Sequence, residues 1–122
     1  MKKYLMGIDR GSTNIKAAVY DFQGREIFIA GTPVELPRQY HLGWAEQDMD
    51  LLWENTVTAV RKLFDTSDVK PEEIAAIGFS GHGNGLYLVD KQGKPSRLAI
   101  MSIDSRVYYE NQMCIRDRSV YR

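Results

Sequence analysis

Apolar and polar residues alternate along the N-terminal part of the chain. Tyr4, Met6 and Ile8 share one face of an extended segment from Lys2 to Ile8, with Leu5 on the other. Asp9-Arg10-Gly11-Ser12-Thr13-Asn14 breaks the alternation with small and turn-forming residues. A second strand is predicted from Ile15 to Tyr20. Asp21-Phe22-Gln23-Gly24 then reads as a hairpin turn, and a third strand runs from about Arg25 to Val34, interrupted by Gly31. The three segments predict an antiparallel meander.

The period changes further on. Pro37 to Glu46 is irregular, and Asp48 is then placed to cap a helix whose positive first turn holds Asp50. Trp53, Val57, Val60 and Phe64 recur at helical spacing and predict its apolar face, with Arg61 and Lys62 near the C-terminal end. Pro71-Glu72-Glu73 can start a short helical turn. Ile74 to Ser80 is apolar enough for a buried strand. The glycine-rich run Gly81-His82-Gly83-Asn84-Gly85 leads to another strand, Leu86 to Val89. Asp90-Lys91-Gln92-Gly93 repeats the earlier Asp-x-Gln-Gly turn and predicts a second hairpin, to Arg97–Met101. Strands, a helix and more strands make a mixed α/β layer structure.

Composition narrows the function classes. With 122 residues the chain is long enough to bury a core without a disulfide or metal staple. Sixteen basic residues cancel sixteen acidic ones, which argues against nucleic acid or a membrane surface as the main partner. Cys114 is the only cysteine, so the chain has neither a disulfide framework nor a thiolate metal site. The apolar stretch at the N-terminus is too short for a signal peptide or a membrane span. The expectation is a cytoplasmic, soluble protein.

Four clusters carry candidate chemistry. In Asp9-Arg10-Gly11-Ser12-Thr13, a tight turn between paired strands presents backbone N–H groups and hydroxyls that suit phosphate oxygens. Lys16 could add charge, and Asp9 could hold a hydrated Mg²⁺. An ordinary hairpin turn uses the same residue types. Gly43-Trp44-Ala45-Glu46-Gln47-Asp48 offers an aromatic wall, a carboxylate and an amide ahead of a helix, or simply a tryptophan that anchors a loop. Ser80 to Gly85 brings backbone close to a ligand while His82 and Asn84 offer polar contacts to a polyhydroxylated molecule, or is an exposed turn. Ser102-Ile103-Asp104-Ser105-Arg106 supplies a carboxylate and a guanidinium for sugar hydroxyls, or a surface ion pair.

Together the four clusters resemble the FGGY family of carbohydrate kinases, most of all its L-xylulose, xylulose and related pentulose or polyol kinases. The resemblance rests on Gly7-Ile8-Asp9-Arg10-Gly11-Ser12-Thr13-Asn14-Ile15-Lys16-Ala17 running to Asp21, and on Gly43-Trp44-Ala45-Glu46-Gln47-Asp48 with Trp53. Ile77-Gly78-Phe79-Ser80-Gly81 running to Gly85-Leu86 and Asp90, and Ala99-Ile100-Met101 with Asp104 and Arg106, complete it.

The resemblance implies an actin-like ATPase fold on a ribonuclease H-like core, with ATP and Mg²⁺ as cofactors and a sugar or polyol as substrate. Asp9, Gly11, Ser12, Thr13, Asn14 and Lys16 would form the first phosphate loop, with Asp9 holding Mg²⁺ through water. His82, Gly83, Asn84, Asp104 and Arg106 fall where the family lines its sugar pocket. Ser12 stands for the usual threonine and keeps the hydroxyl, while His82-Gly83-Asn84 stands for the Gln-Met-His of xylulose kinases and Ser102 for a frequent tryptophan, and those two departures leave the sugar open. Family members are several times longer, so the catalytic aspartate, the second phosphate loop and the adenine pocket are expected downstream, and no catalytic residue is assigned here. A homodimer is an expectation for the full-length parent only. The rival reading is a non-catalytic actin-like nucleotide-binding or regulatory protein. Residues 1–112 are read as a partial N-terminal kinase domain. Residues 113–122, opening Met113-Cys114-Ile115-Arg116-Asp117-Arg118, are read as a non-native tail that resembles a translated sequencing adapter, against a basic native tail as the alternative.

Overall fold

The computed structural model describes residues 1–35 and 37–109, so the expectation for 113–122 lies outside the described residues. The described residues divide into two compact units, one of residues 1–35 with 50–83, the other of residues 37–49 with 84–109.

The first unit is a four-stranded sheet covered by one helix. β1 (Tyr4–Arg10), β2 (Asn14–Asp21) and β3 (Glu26–Pro33) form the predicted antiparallel meander. α1 (Met49–Thr66) follows, then a 3₁₀ turn at Pro71–Glu73, and β5 (Ile74–Gly81) returns parallel to β1, giving the order β3-β2-β1-β5. Alternation along β1 and β2 sends Met6, Ile8, Ala17 and Val19 to one face, where Leu63 of α1, Val69 and Ile74 complete the core. Leu63 and Val19 are fully buried, and each such side chain contributes about 1.5–3 kcal/mol over an exposed one.

The buried stripe of α1 is Leu52, Thr56, Ala59 and Leu63. This corrects the expected face by one residue. Trp53 is 64% exposed, while Val60 and Phe64 pack at the margin of the core. Both stripes have the same spacing, and a threonine is tolerated in the buried one because its Oγ1 donates to the Leu52 carbonyl at 2.8 Å. Lys62 reaches the Gly31 carbonyl of β3 at 3.1 Å and so ties helix to sheet. β5 forms as expected but is not a buried strand, since only Ile74 is buried. It is the edge of this sheet, and no described element covers Ile77 or Phe79.

The second unit is a ribbon of short pairings. β4 (Glu46–Gln47) lies antiparallel to β6 (Ala99–Ile100). Glu46 also bridges to Arg38, and Ile100 to Leu86. The strands expected at Leu86–Val89 and Arg97–Met101 therefore shrink to bridges and a two-residue strand. The turn between them is as expected. The Asp90 carboxylate accepts from the backbone N–H groups of Gln92 and Lys94, as the Asp21 carboxylate accepts from those of Gln23 and Arg25. Among the described residues, no helix is long and apolar enough to cross a membrane.

Candidate functional site

In the first unit the candidate phosphate residues converge on one end of the sheet. β1 and β5 are parallel, so Asp9 and Ser80 both lie at C-terminal strand ends, the usual place for a ligand on such a sheet. The pairing sets Lys16, Asp9 and Ser80 abreast across three strands. The Ser80 hydroxyl donates to Asp9 Oδ1 at 2.9 Å and orients the carboxylate. Among the described residues Lys16 enters no ion pair, although it stands opposite Asp9. Two pairing rows back, Ala18, Gly7 and Gly78 make a floor of small residues. The result is an open groove of about 370 Å³ with Asp9, Lys16 and Ser80 at its polar end and Tyr20 and Ile29 beside the floor.

The β1–β2 hairpin turn follows Asp9 and Arg10 at this end of the sheet. The Gly11 N–H donates to the Asn14 carbonyl at 3.0 Å, and a Cβ at Gly11 would meet that oxygen at 2.8 Å, so no larger residue fits without a shift. The Thr13 carbonyl is held by the Val34 N–H at 2.8 Å. Ser12, Thr13, Asn14 and Lys16 are all exposed. His82 extends the ladder past Ser80, its N–H donating to the Arg10 carbonyl at 3.0 Å. The first unit therefore brings together Asp9, Gly11, Ser12, Thr13, Asn14, Lys16, His82 and Gly83.

Asn84, Asp104 and Arg106 belong to the second unit. Asn84 has φ of 59°, the one non-glycine residue described with a positive φ, a conformation asparagine tolerates better than most. Two residues on, Leu86 exchanges both backbone hydrogen bonds with Ile100, at 2.9 and 3.0 Å, and Ile100 pairs in turn with Glu46. Gly43 closes the other side of this ribbon. Its φ is 80°, and an added Cβ would collide with the ring of Tyr109.

Asp104 and Arg106 grip one another. Arg106 Nε and Nη2 donate to the two Asp104 oxygens at 2.8 and 2.7 Å, and Nη2 also reaches Glu46 Oε1 at 2.8 Å. Arg97 pairs with the same Glu46 oxygen. The guanidinium lies 3.9 Å over the Trp44 ring, whose edge meets His41. The Arg106 fork, helped by the Ala45 N–H at 2.7 Å, holds the Asp104 carboxyl down to about 2 against the opposing effect of burial. The same pairing raises Arg106.

Sequence reasoning put Ser80 and Glu46 inside candidate clusters but assigned neither a site role. Ser80 had a readable signal, as the last residue of an apolar run that pairs with the strand carrying Asp9. Glu46 had none beyond its place in the Gly-Trp-Ala-Glu run, because its partner Arg106 lies 60 residues away.

Residues 4–121 match the N-terminal domain of the FGGY family of carbohydrate kinases. The chain belongs to that family. An L-xylulose/3-keto-L-gulonate kinase of Escherichia coli is 41% identical over 106 residues, which are 87% of this chain and 21% of that protein. Among solved structures, a xyloylose kinase from Brucella ovis superposes with a TM-score of 0.81 at 27% identity, covering 95% of this chain and 24% of the other. A gluconate kinase from Lactobacillus acidophilus gives 0.77 at 25% identity, covering 95% and 23%. The fold is thus that of the N-terminal domain of FGGY kinases, the ribonuclease H-like, actin-like ATPase fold expected from sequence. The chain spans about a fifth of the length of the curated relatives it matches.

Proposed function

We propose that the chain is the phosphate-loop and sugar-binding part of an ATP-dependent carbohydrate kinase, which transfers the γ-phosphoryl group of ATP to a hydroxyl of a pentulose or polyol. The observation that carries this reading is the Lys16–Asp9–Ser80 row, with Asp9 and Ser80 at the C-terminal ends of the parallel strands β1 and β5 and Lys16 opposite Asp9 on β2, next to a turn where a Cβ at Gly11 would not fit without a shift, in a member of this family.

Each residue has a task in it. The turn at Gly11 to Asn14 and the hydroxyls of Ser12 and Thr13 face phosphate oxygens, and Lys16 supplies positive charge. Asp9 suits Mg²⁺ because that ion binds through one or two carboxylates, waters and substrate phosphates rather than a protein cage. Its carboxylate is exposed and has one oxygen committed to Ser80, and among the described residues no cluster of three metal-ligating side chains exists. Bound there, the ion would neutralise charge on the phosphates. His82, Gly83 and Asn84 are proposed to take part in sugar recognition, and Asp104 and Arg106 to serve it without a direct contact. The base that takes the hydroxyl proton comes from the part of the longer protein not represented in this chain. We assign the protein to the cytoplasm, with small molecules rather than nucleic acid or membrane as its partners.

A coupled assay of ADP release tests the reading on the full-length protein, with L-xylulose, D-xylulose, gluconate and glycerol as acceptors. Turnover with at least one of them at roughly 1–10³ s⁻¹ is expected, and ATP binding without transfer to any acceptor would favour the nucleotide switch. The 122-residue chain alone is expected to show no sugar-dependent ATP hydrolysis.

A further inference from the structure

Asp104 and Arg106 do not resemble groups waiting for a ligand. A carboxylate offers about four acceptor positions. Those of Asp104 are taken by the backbone N–H groups of Ala45 and Arg106 and by two N–H groups of the Arg106 fork. Arg106 has only 12% of its side chain exposed, with its fork on Asp104 and Glu46 and its face on Trp44. Glu46 is buried and shared by two guanidiniums. Two carboxylates against two guanidiniums leave the cluster neutral. A sugar hydroxyl could reach it only by displacing a charge-assisted bond, and a neutral hydroxyl does not repay that loss.

The cluster is well placed to act at one remove. Glu46 pairs with Ile100 across the β4–β6 ladder, Ile100 exchanges two hydrogen bonds with Leu86, and Leu86 lies two residues after Asn84. The ribbon is short, so its register depends on what anchors it. The Met101 N–H on the Ala45 carbonyl and the Ser105 N–H on the Gly43 carbonyl, at 2.9 and 2.7 Å, fasten the same two segments. Resting on the kinase reading above, we infer that Glu46, Asp104 and Arg106 are positioning residues. They lock the 43–47 segment to the 99–106 segment and, through Ile100 and Leu86, set the position of Asn84, without contacting the sugar.

A double-mutant cycle in the full-length protein separates the two roles. Glu46→Gln and Arg106→Gln should each lower kcat/KM for the accepted sugar about tenfold, leaving KM for ATP within about twofold. The double variant should be no worse than the poorer single one, because each breaks the same lock. Losses that multiply to about a hundredfold would mean that Arg106 binds sugar directly and would overturn the inference. Arg106→Lys keeps the charge but loses the fork and the stack, so it should behave like the glutamine variant. Recovery of parental kinetics would also overturn it. The 122-residue chain gives a readout independent of activity, since the Arg106 Nε–H should exchange slowly with solvent in NMR and lose that protection in Asp104→Asn. Fast exchange in the unmodified chain would remove the lock itself. A protected Nε–H in a full-length protein that phosphorylates none of the four acceptors would instead sink the kinase reading.

Discussion

Two aspartates define the contrast between the units. Asp9 is exposed, has one oxygen on a serine hydroxyl, and stands across from a lysine that does not pair with it. Asp104 is nearly buried, accepts four hydrogen bonds, and is clasped by an arginine. The first retains capacity for a ligand, and the second has spent its capacity on the fold. Sequence alone offers both as ligand-facing carboxylates, Asp9 for Mg²⁺ and Asp104 for sugar hydroxyls, and does not show which one keeps its capacity free. The partners decide what each carboxylate can do.

The largest effect should follow from removing the charge at the open end. Asp9→Asn in the full-length protein keeps an oxygen for the Ser80 hydroxyl, so Tm should change by no more than a degree or two. The anion that suits Mg²⁺ is gone, and kcat should fall by about 10²-fold or more, in the range seen when one transition-state electrostatic contact is deleted. Steady-state kinetics at saturating Mg-ATP check this, and an unchanged kcat would leave Asp9 an ordinary turn residue.

Asn84 comes next. Loss of a buried partner for a sugar hydroxyl costs about 1–3 kcal/mol, so Asn84→Ala should lower kcat/KM for the sugar roughly ten- to hundredfold with ATP kinetics unchanged. At φ of 59° alanine also carries about 1–2 kcal/mol of backbone strain, which glycine avoids. Asn84→Gly should therefore match the alanine variant in sugar kinetics while keeping the parental Tm. Parental kinetics in the glycine variant would assign the residue a backbone role only.

Ser80 should show a smaller effect. Ser80→Ala frees the Asp9 carboxylate to rotate and should raise the Mg²⁺ concentration needed for half-maximal rate about three- to tenfold, roughly 1 kcal/mol, the net worth of one ordinary hydrogen bond. Ser80→Thr, which keeps the hydroxyl, should restore it. A Mg²⁺ titration that does not move in the alanine variant would separate Ser80 from the metal.

The smallest effect concerns the closed aspartate and is read on the 122-residue chain. The Asp104 carboxyl is depressed to about 2, so the folded state binds fewer protons than the unfolded state between that value and about pH 4, the usual carboxylate range. Its stabilising contribution is complete above pH 4 and is lost as pH falls through 2. Asp21, held by the Arg25 backbone N–H, and Glu73, held by the Lys3 ammonium, are lowered too and act in the same direction. Denaturant unfolding followed from pH 5 to pH 2 should show stability falling toward acid, with a gentler slope in Asp104→Asn. Identical slopes would mean that the Arg106 clasp does not survive in solution.

Much of the first unit was legible because local chemistry and global fold agree there. Period-two alternation gave the three meander strands, and Asp-x-Gln-Gly gave both turns. The helix was legible in position but one residue out in its buried face. Trp53 is the more apolar residue and Thr56 the less, and only the hydrogen bond from Thr56 to Leu52 lets the polar residue go inside. The Ile74 run looked buried because it is apolar, yet it forms a sheet edge, and burial of an edge depends on elements outside the strand itself. Glu46 was read as part of an irregular loop, since its order comes from Arg97 and Arg106, far along the chain. No window of neighbouring residues contains that information.

The positive φ at Asn84 has a consequence for how specificity can evolve at this turn. Glycine, asparagine and aspartate are the residues that occupy such a backbone without marked strain, so a mutational walk at that position has few viable steps. Aspartate would add a charge beside neutral hydroxyls, and glycine would delete the contact. New acceptor preferences are therefore reached more readily through His82 or residues 86–92, whose backbones impose no such filter. The residue closest to setting the substrate is then the one least free to change, and drift in sugar preference should leave its record in the flanking positions.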